Sequence, residues 1–208
     1  FALETTCKNA GKASVYYDSE ASHIMTLARD RDGALYAGTS DQALVLRLRG
    51  AGRADVIYDF DGNEITALAV NDGTLAVAAN LFPKAPAAKA TTPTPAGDAS
   101  SPQASTPAPA APNTSDKAQA GKGRLFRIDK SGNATRLFTS DEGHLTTVEW
   151  GKQGEIYAGV GREGRVYRIT PDHKSAVWID VDERQILATD FGGKTPMLAT
   201  ADVGAVYE

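Results

Sequence analysis

A short apolar segment returns along this chain at a nearly fixed interval. Ile24-Met25-Thr26-Leu27-Ala28 reappears as Ile65-Thr66-Ala67-Leu68-Ala69, then as Leu145-Thr146-Thr147-Val148, then as Ile186-Leu187-Ala188-Thr189. The steps are 41, 80 and 41 residues, so the middle step holds one normal repeat plus an insert of similar length. A period in this range restricts the chain to repeat architectures, in which each unit buries its apolar face against its neighbours.

Set in register, each repeat shows three further apolar runs. The second run is Leu35-Tyr36-Ala37-Gly38, matched by Leu75-Ala76-Val77-Ala78, Ile156-Tyr157-Ala158-Gly159 and Met197-Leu198-Ala199-Thr200. The third is Leu44 to Leu48, matched by Arg124 to Ile128 and Arg165 to Ile169. The fourth is Asp55 to Tyr58, matched by Thr135 to Phe138 and Ala176 to Ile179. Short runs rich in β-branched and aromatic residues, bounded by turn residues, are strands. Asp32-Gly33, Asp72-Gly73, Gln153-Gly154 and Gly192-Gly193 lie between the first and second runs, and supply the positive φ that tight hairpins need. No stretch carries a 3.6-residue apolar period between caps, so almost no helix is expected.

A repeated four-stranded antiparallel meander of about 40 residues is the blade of a β-propeller. A stacked β-solenoid fits less well, because its repeats are shorter and lack four hairpin-linked strands. Gly143-His144 with Gly164-Arg165-Val166-Tyr167-Arg168-Ile169 resembles the WD40 repeat, although the Trp-Asp pair is missing throughout. Gly33-Ala34-Leu35-Tyr36-Ala37-Gly38-Thr39-Ser40 resembles the blade motif of bacterial two-component-regulator-type sensor propellers, without the usual Trp. The resemblance implies an all-β propeller and leaves the function open, since propellers host many unrelated activities.

The ends of the chain fall inside the pattern. Ala13 to Asp18 matches the fourth run, and Phe1 to Thr6 sits where a third strand belongs. The chain ends at Val206-Tyr207-Glu208, within another third run. The expectation is an all-β β-propeller fragment divided as follows: 1–21, the end of a partial blade; 22–61, a blade; 62–142, a blade interrupted by an insert at 83–122; 143–182, a blade; and 183–208, a partial blade. An open arc has two raw edges, which invite pairing with other chains. Cys7 is the single cysteine, so no disulfide forms within the chain. The net charge is −4 with both signs interspersed and no basic stripe, which argues against nucleic-acid binding. No apolar run is long enough to span a membrane.

The insert at 83–122 holds eight of the ten prolines and no Ile, Leu, Val, Met or aromatic residue. It cannot bury enough apolar surface to offset its ordering entropy, so it is expected to be disordered or extended. It leaves the blade between the second and third strands, on the same face as the links between blades. Its Ser/Thr/Pro/Ala composition and the sequon Asn113-Thr114-Ser115 suit a glycosylated tether and an extracytoplasmic location. A merely tolerated loop expansion is the simpler explanation.

His23, Glu64, His144 and Gln185 occupy one position, just before the first strand of each repeat, at the channel rim. His and Glu converging there could hold a divalent metal or act as acid and base, with Glu20, Asp61, Asn63, Asp141, Glu142 and Asp182 making the rim acidic. Hydrogen bonding within or between blades is the stronger alternative, because no local metal-ligand spacing is present. Arg47, Arg127 and Arg168 recur on the third strand and are expected to pair with acids or carbonyls of the next blade. Gly159 to Gly164 fits G-x-G-x-x-G but joins two strands, and phosphate cradling needs a helix N-terminus. Tyr36, Tyr157, Tyr167 and Trp178 are spaced for inter-blade packing. The expected function is a non-catalytic recognition scaffold for a protein, peptide or glycan, with no cofactor. The alternatives are a lactonase-like hydrolase or lyase with a rim metal, and a ligand-sensing module of a surface signalling protein.

Overall fold

The computed structural model describes residues 14–83, 121–141 and 143–208. Four sheets follow one another along the chain. The first contains β1 (Ile24–Arg29), β2 (Leu35–Thr39), β3 (Leu44–Gly50) and β4 (Arg53–Asp59). The second contains β5 (Glu64–Asn71), β6 (Thr74–Leu81), β7 (Lys122–Ile128) and β8 (Ala134–Ser140). The third contains β9 (Leu145–Trp150), β10 (Ile156–Val160), β11 (Arg165–Ile169) and β12 (Ser175–Asp180). The last contains β13 (Ile186–Asp190), β14 (Met197–Thr200) and β15 (Val206–Tyr207). Each sheet is an antiparallel meander in sequence order, and no helix occurs among the described residues. This is the all-β propeller architecture expected from the repeat.

Local chemistry explains the hairpins. Asp72 (φ 49°) and Gly73 (φ 70°) form a two-residue turn between the paired residues Asn71 and Thr74. Positive φ at both central positions matches the twist of the flanking strands. The first hairpin of every sheet carries a bulge at one repeated position, occupied by Met25, Thr66, Thr146 and Leu187. The third-to-fourth pairing of the first three sheets is bulged at Ile57, Leu137 and Trp178.

The core lies between sheets, in three layers. Tyr36, Val45 and Phe60 of the first sheet meet Ile65, Leu75, Val77 and Ile128 of the second. Ala76, Ala78 and Leu125 of the second meet Leu145, Val148, Ile156 and Ile169 of the third. Tyr157 and Val166 of the third meet Ile186 and Leu198 of the fourth, with Trp178, Phe191 and Tyr207 packed around them. Full burial of one such aliphatic side chain contributes roughly 1.5–3 kcal/mol. The expected packing roles of Tyr36, Tyr157, Tyr167 and Trp178 are those observed.

Several expectations need correction. Residues 14–18 are not a strand, and Val15 is 80% exposed. Their ladder partner was expected at Phe1 to Thr6, which lies outside the described residues, as do Cys7, Ala13 and the Asn113 sequon. The segment is held instead by a hydrogen bond from the Gly52 N–H to the Tyr16 carbonyl (2.7 Å). β7 begins at Lys122, which pairs with Leu81, so the ladder reaches the last residue assigned to the insert. The rest of the insert, 84–120, lies outside the described residues. In the last sheet the register differs by one: Met197 pairs with Asp190 as Tyr157 pairs with Glu149. The connection is one residue shorter there, so Leu198 takes the place of Ala158, not Tyr157. A one-residue slip moves side chains to the opposite face, and this one buries Leu198 (2% exposed) against the third sheet. Gly192 and Gly193 do not adopt positive φ. The Asp190 carboxylate accepts the Gly192 N–H (2.7 Å) and organises that turn.

Candidate functional site

The four rim residues do occupy one structural position. The carbonyls of His23, His144 and Gln185 accept the N–H groups of Ser40 (3.0 Å), Gly161 (2.9 Å) and Ala201 (2.9 Å), at the end of each second strand. Glu64 pairs with Asn80 at the corresponding place. Each rim backbone therefore closes its own hairpin.

The side chains associate in pairs across neighbouring sheets. His23 is exposed, and its Nδ1 lies 3.0 Å from Ser40 Oγ, which orients the ring. Ser40 forms a bridge with Glu64, linking the first two sheets. Burial raises the Glu64 carboxyl above its ordinary range, the His23 charge lowers it, and Asp41 adds a smaller upward push. On the other side, the Gln185 amide nitrogen stands 3.5 Å from His144 Nε2. Burial, then the Arg162 charge, holds the His144 imidazole below its usual pKa, so the ring stays neutral near pH 7. Phe82 packs on this ring at 5.2 Å between centroids. Among the described residues, no three His, Cys, Asp or Glu side chains are close enough to hold an ion.

The surrounding rim is partly committed as well. Asn63 donates to the Phe82 carbonyl (2.8 Å) and accepts its N–H (2.9 Å). Asp141 pairs with Lys122 at 3.1 Å in an exposed position. Glu20, Asp61 and Asp182 are exposed, and Glu142 lies outside the described residues.

The opposite face carries clefts between sheets, two of them beside Tyr36 and Tyr157, which share one position in the repeat. One, of about 810 Å³, is walled by Tyr36, Arg47 and Arg49 from the first sheet and by Asp72, Lys130 and Asp129 from the second. Asp30 crosses its floor and accepts the Gly73 N–H at 2.6 Å. Lys130 and Asp72 pair at 2.8 Å on its edge. The other, of about 240 Å³, lies between the third and fourth sheets beside Tyr157, Trp178 and Phe191. Those rings are in mutual contact, with Tyr157 stacked on Phe191 at 4.4 Å and edge-on to Trp178 at 4.8 Å.

The arginine ladder works within a blade, not between blades. Arg47 and Arg168 lie directly across the ladder from Tyr36 and Tyr157. The Arg47 guanidinium sits 5.8 Å from the Tyr36 ring, and Arg168 stands 3.9 Å from the buried Glu155 carboxylate. Cross-strand register decides this, because side chains opposite each other on one face are nearest neighbours. The Gly-rich segment joins β10 to β11. A Cβ at Gly159 would lie 2.6 Å from Thr147 and 3.0 Å from Ile186 of the next sheet, so this glycine permits close sheet packing.

Sequence reasoning missed the most engaged polar residue, Asn80. It is 1% exposed, its amide donates to the Leu145 carbonyl (2.8 Å), and its Oδ1 accepts the Leu145 N–H (2.9 Å). The amide thus stands in for a strand residue at the joint between the second and third sheets. Its only signal was one polar residue ending an otherwise apolar run. Glu155 was missed too, as it precedes a strand in a turn.

No protein-family model and no curated protein sequence matches the chain. Solved structures do resemble it in fold. Streptogramin B lyase is 13% identical with a TM-score of 0.55, over 93% of this chain and 56% of that one. A chain of a nidogen/laminin complex is 11% identical with a TM-score of 0.57, over 87% and 57%. The computationally designed Ika4 protein is 15% identical with a TM-score of 0.52, over 95% and 97%. The chain spans a little over half the length of the first two. The first two are β-propeller-type proteins, and the likeness establishes that fold class for this chain.

Proposed function

We propose that this chain is a non-catalytic recognition scaffold that binds a protein, peptide or glycan through the rim face, with His23, Glu64, His144 and Gln185 as contact residues. The observation that carries this reading is the fixed, partly exposed presentation of these polar side chains. Ser40 orients the His23 ring, and Phe82 with Gln185 holds His144, on a frame whose core is packed between sheets. Side chains held before a ligand arrives lose little freedom on binding, and loops on a rigid scaffold supply variable contacts. The WD40-like and sensor-like blade motifs fit such a role. A lactonase-like metal enzyme needs a third ligand to join His23 and Glu64. The test is binding of the purified chain to peptide and glycan arrays, repeated with His23→Ala and Gln185→Ala. Loss of captured ligands at unchanged thermal stability is expected. Turnover of a lactone or glycoside substrate that depends on added divalent metal and on Glu64 would overturn the reading.

A further inference from the structure

The first and third sheets carry the same pair of polar side chains. Tyr36 lies across the ladder from Arg47, and Tyr157 from Arg168. In the third sheet the pair holds a carboxylate of the chain itself. The Tyr157 hydroxyl donates to Glu155 Oε1 (3.3 Å), and the Arg168 guanidinium stands 3.9 Å from the same oxygen. Glu155 comes two residues before Tyr157, whereas the residue two before Tyr36 is Ala34. The first sheet therefore keeps the phenol and the guanidinium and lacks their acid.

Tyr36 and Arg47 both line the cleft of about 810 Å³ between the first two sheets, each of which has its four strands. Tyr36 is 5% exposed, and its hydroxyl has no hydrogen-bond partner among the described residues. Arg47 makes no ion pair among them and sits 5.8 Å from the Tyr36 ring. The four aspartates of the cleft are engaged elsewhere. Asp30, Asp32 and Asp129 accept backbone N–H groups of the adjoining turns, and Asp72 pairs with Lys130.

We propose that Tyr36 and Arg47 form a carboxylate site in this cleft, on the face opposite the rim, and that its ligand is a small organic acid. The ligand's carboxylate takes the part that Glu155 plays in the third sheet: it accepts the Tyr36 O–H and pairs with the Arg47 guanidinium. Hydrogen bonds to an ionised group are the strong ones, and the planar guanidinium matches a carboxylate in shape. Val56 and Ile57 line the same cleft and offer an apolar wall to the body of the ligand. Small-molecule sites occupy about 300–1,000 Å³, and this cleft falls within that range.

Benzoate joins a carboxylate to an apolar ring and serves as the probe, with benzamide and inorganic phosphate as controls. Each is titrated into the purified 208-residue chain by isothermal titration calorimetry, and the amide NMR signals of Gly73 and Gly132, at the cleft, locate the contact. Saturable benzoate binding that shifts both signals is expected. Benzamide should bind at least about tenfold more weakly, as should benzoate to Tyr36→Phe and to Arg47→Gln, since each change removes a hydrogen bond to a charged group. Phosphate should be weaker than benzoate for want of an apolar body. Ala34→Glu supplies the acid that the third sheet has, and should abolish benzoate binding while keeping the circular dichroism of the parent. This variant fills the site without removing either donor, so it decides the matter even if the other two fold poorly. Absence of benzoate binding to the parent, equal binding of benzoate and benzamide, tighter binding of phosphate, or undiminished binding to Ala34→Glu would overturn the proposal.

Discussion

Asn80 ties the second sheet to the third, and its removal should loosen that joint. In Asn80→Ala the Leu145 N–H loses the Oδ1 acceptor at 2.9 Å. A buried donor left without a partner costs about 1–3 kcal/mol. The Leu145 carbonyl fares better, because Thr66 Oγ1 still donates to it at 2.8 Å. The sum is a loss of about 2–3 kcal/mol, or a fall of about 1–1.5 M in the urea midpoint for a domain of this size. Intrinsic fluorescence can localise the effect. The chain has two tryptophans, of which Trp150 donates to the Ala69 carbonyl across the affected layer (3.3 Å) and Trp178 packs in the next one. In a Trp178→Phe background, the Trp150 emission should shift at lower urea in Asn80→Ala than in its parent. Asn80→Asp adds a control on mechanism. It keeps an acceptor for the Leu145 N–H but turns lone pairs toward the Leu145 carbonyl, so its own folded pKa rises above the unfolded value. Its destabilisation should therefore ease as pH falls and the carboxyl regains a donor. A midpoint within 0.2 M of the parent for Asn80→Ala, by the same ~2 kcal/mol/M slope, would refute the bridging role.

Other substitutions probe the remaining joints. Gly159→Ala pushes a methyl into Thr147 and Ile186, and should cost about 1–3 kcal/mol by overpacking, read from urea denaturation. Leu198→Ala should cost about 2–5 kcal/mol and Ala199→Ser far less. The reverse order would show that the last sheet keeps the uncorrected register. Glu64 has a raised folded pKa, so its contribution is fully present below the unfolded value and is lost as pH rises through the folded one. Glu64→Gln should therefore gain stability relative to the parent near neutral pH and not in acid. His144 has a lowered folded pKa, so stability should fall as pH drops through about 6.5. His144→Gln should flatten that part of the thermal-stability profile.

The strands were legible because each is a short apolar run bounded by turn residues, the second run of the first three repeats being buried on both faces. The turns were legible because Gly33, Asp72-Gly73 and Gly154 take the positive φ their residue types announce. Ladder register in the last sheet was not. Met197-Leu198-Ala199-Thr200 is apolar enough to satisfy either face, and only the shortened connection before it decides which residue turns inward. The rim position was visible from spacing alone. What its side chains do was hidden, since the His23–Ser40 contact depends on how one hairpin's ends meet, 17 residues apart, and the Gln185–His144 contact on the distance between two sheets, 41 residues apart. Asn80 was invisible for a related reason: its partner Leu145 is 65 positions away, beyond the insert. Residues 14–18 show the converse error, a strand-like run that does not form a strand.

The bulge shared by the first hairpin of all four sheets has a consequence for how such a chain changes over generations. A bulge adds twist and bends its strand, and here each sheet bends at the same step. That local twist is encoded inside each repeat. Duplicating or deleting a whole repeat carries its deflection along, and leaves the next junction geometrically unaltered. Losing only the bulged residue in one repeat would keep the later ladder pairs and their facing, because residues such as Ile65 and Ala67 on either side of it already face opposite ways, and would remove only that strand's extra twist. The natural quantum of variation for this architecture is the complete blade.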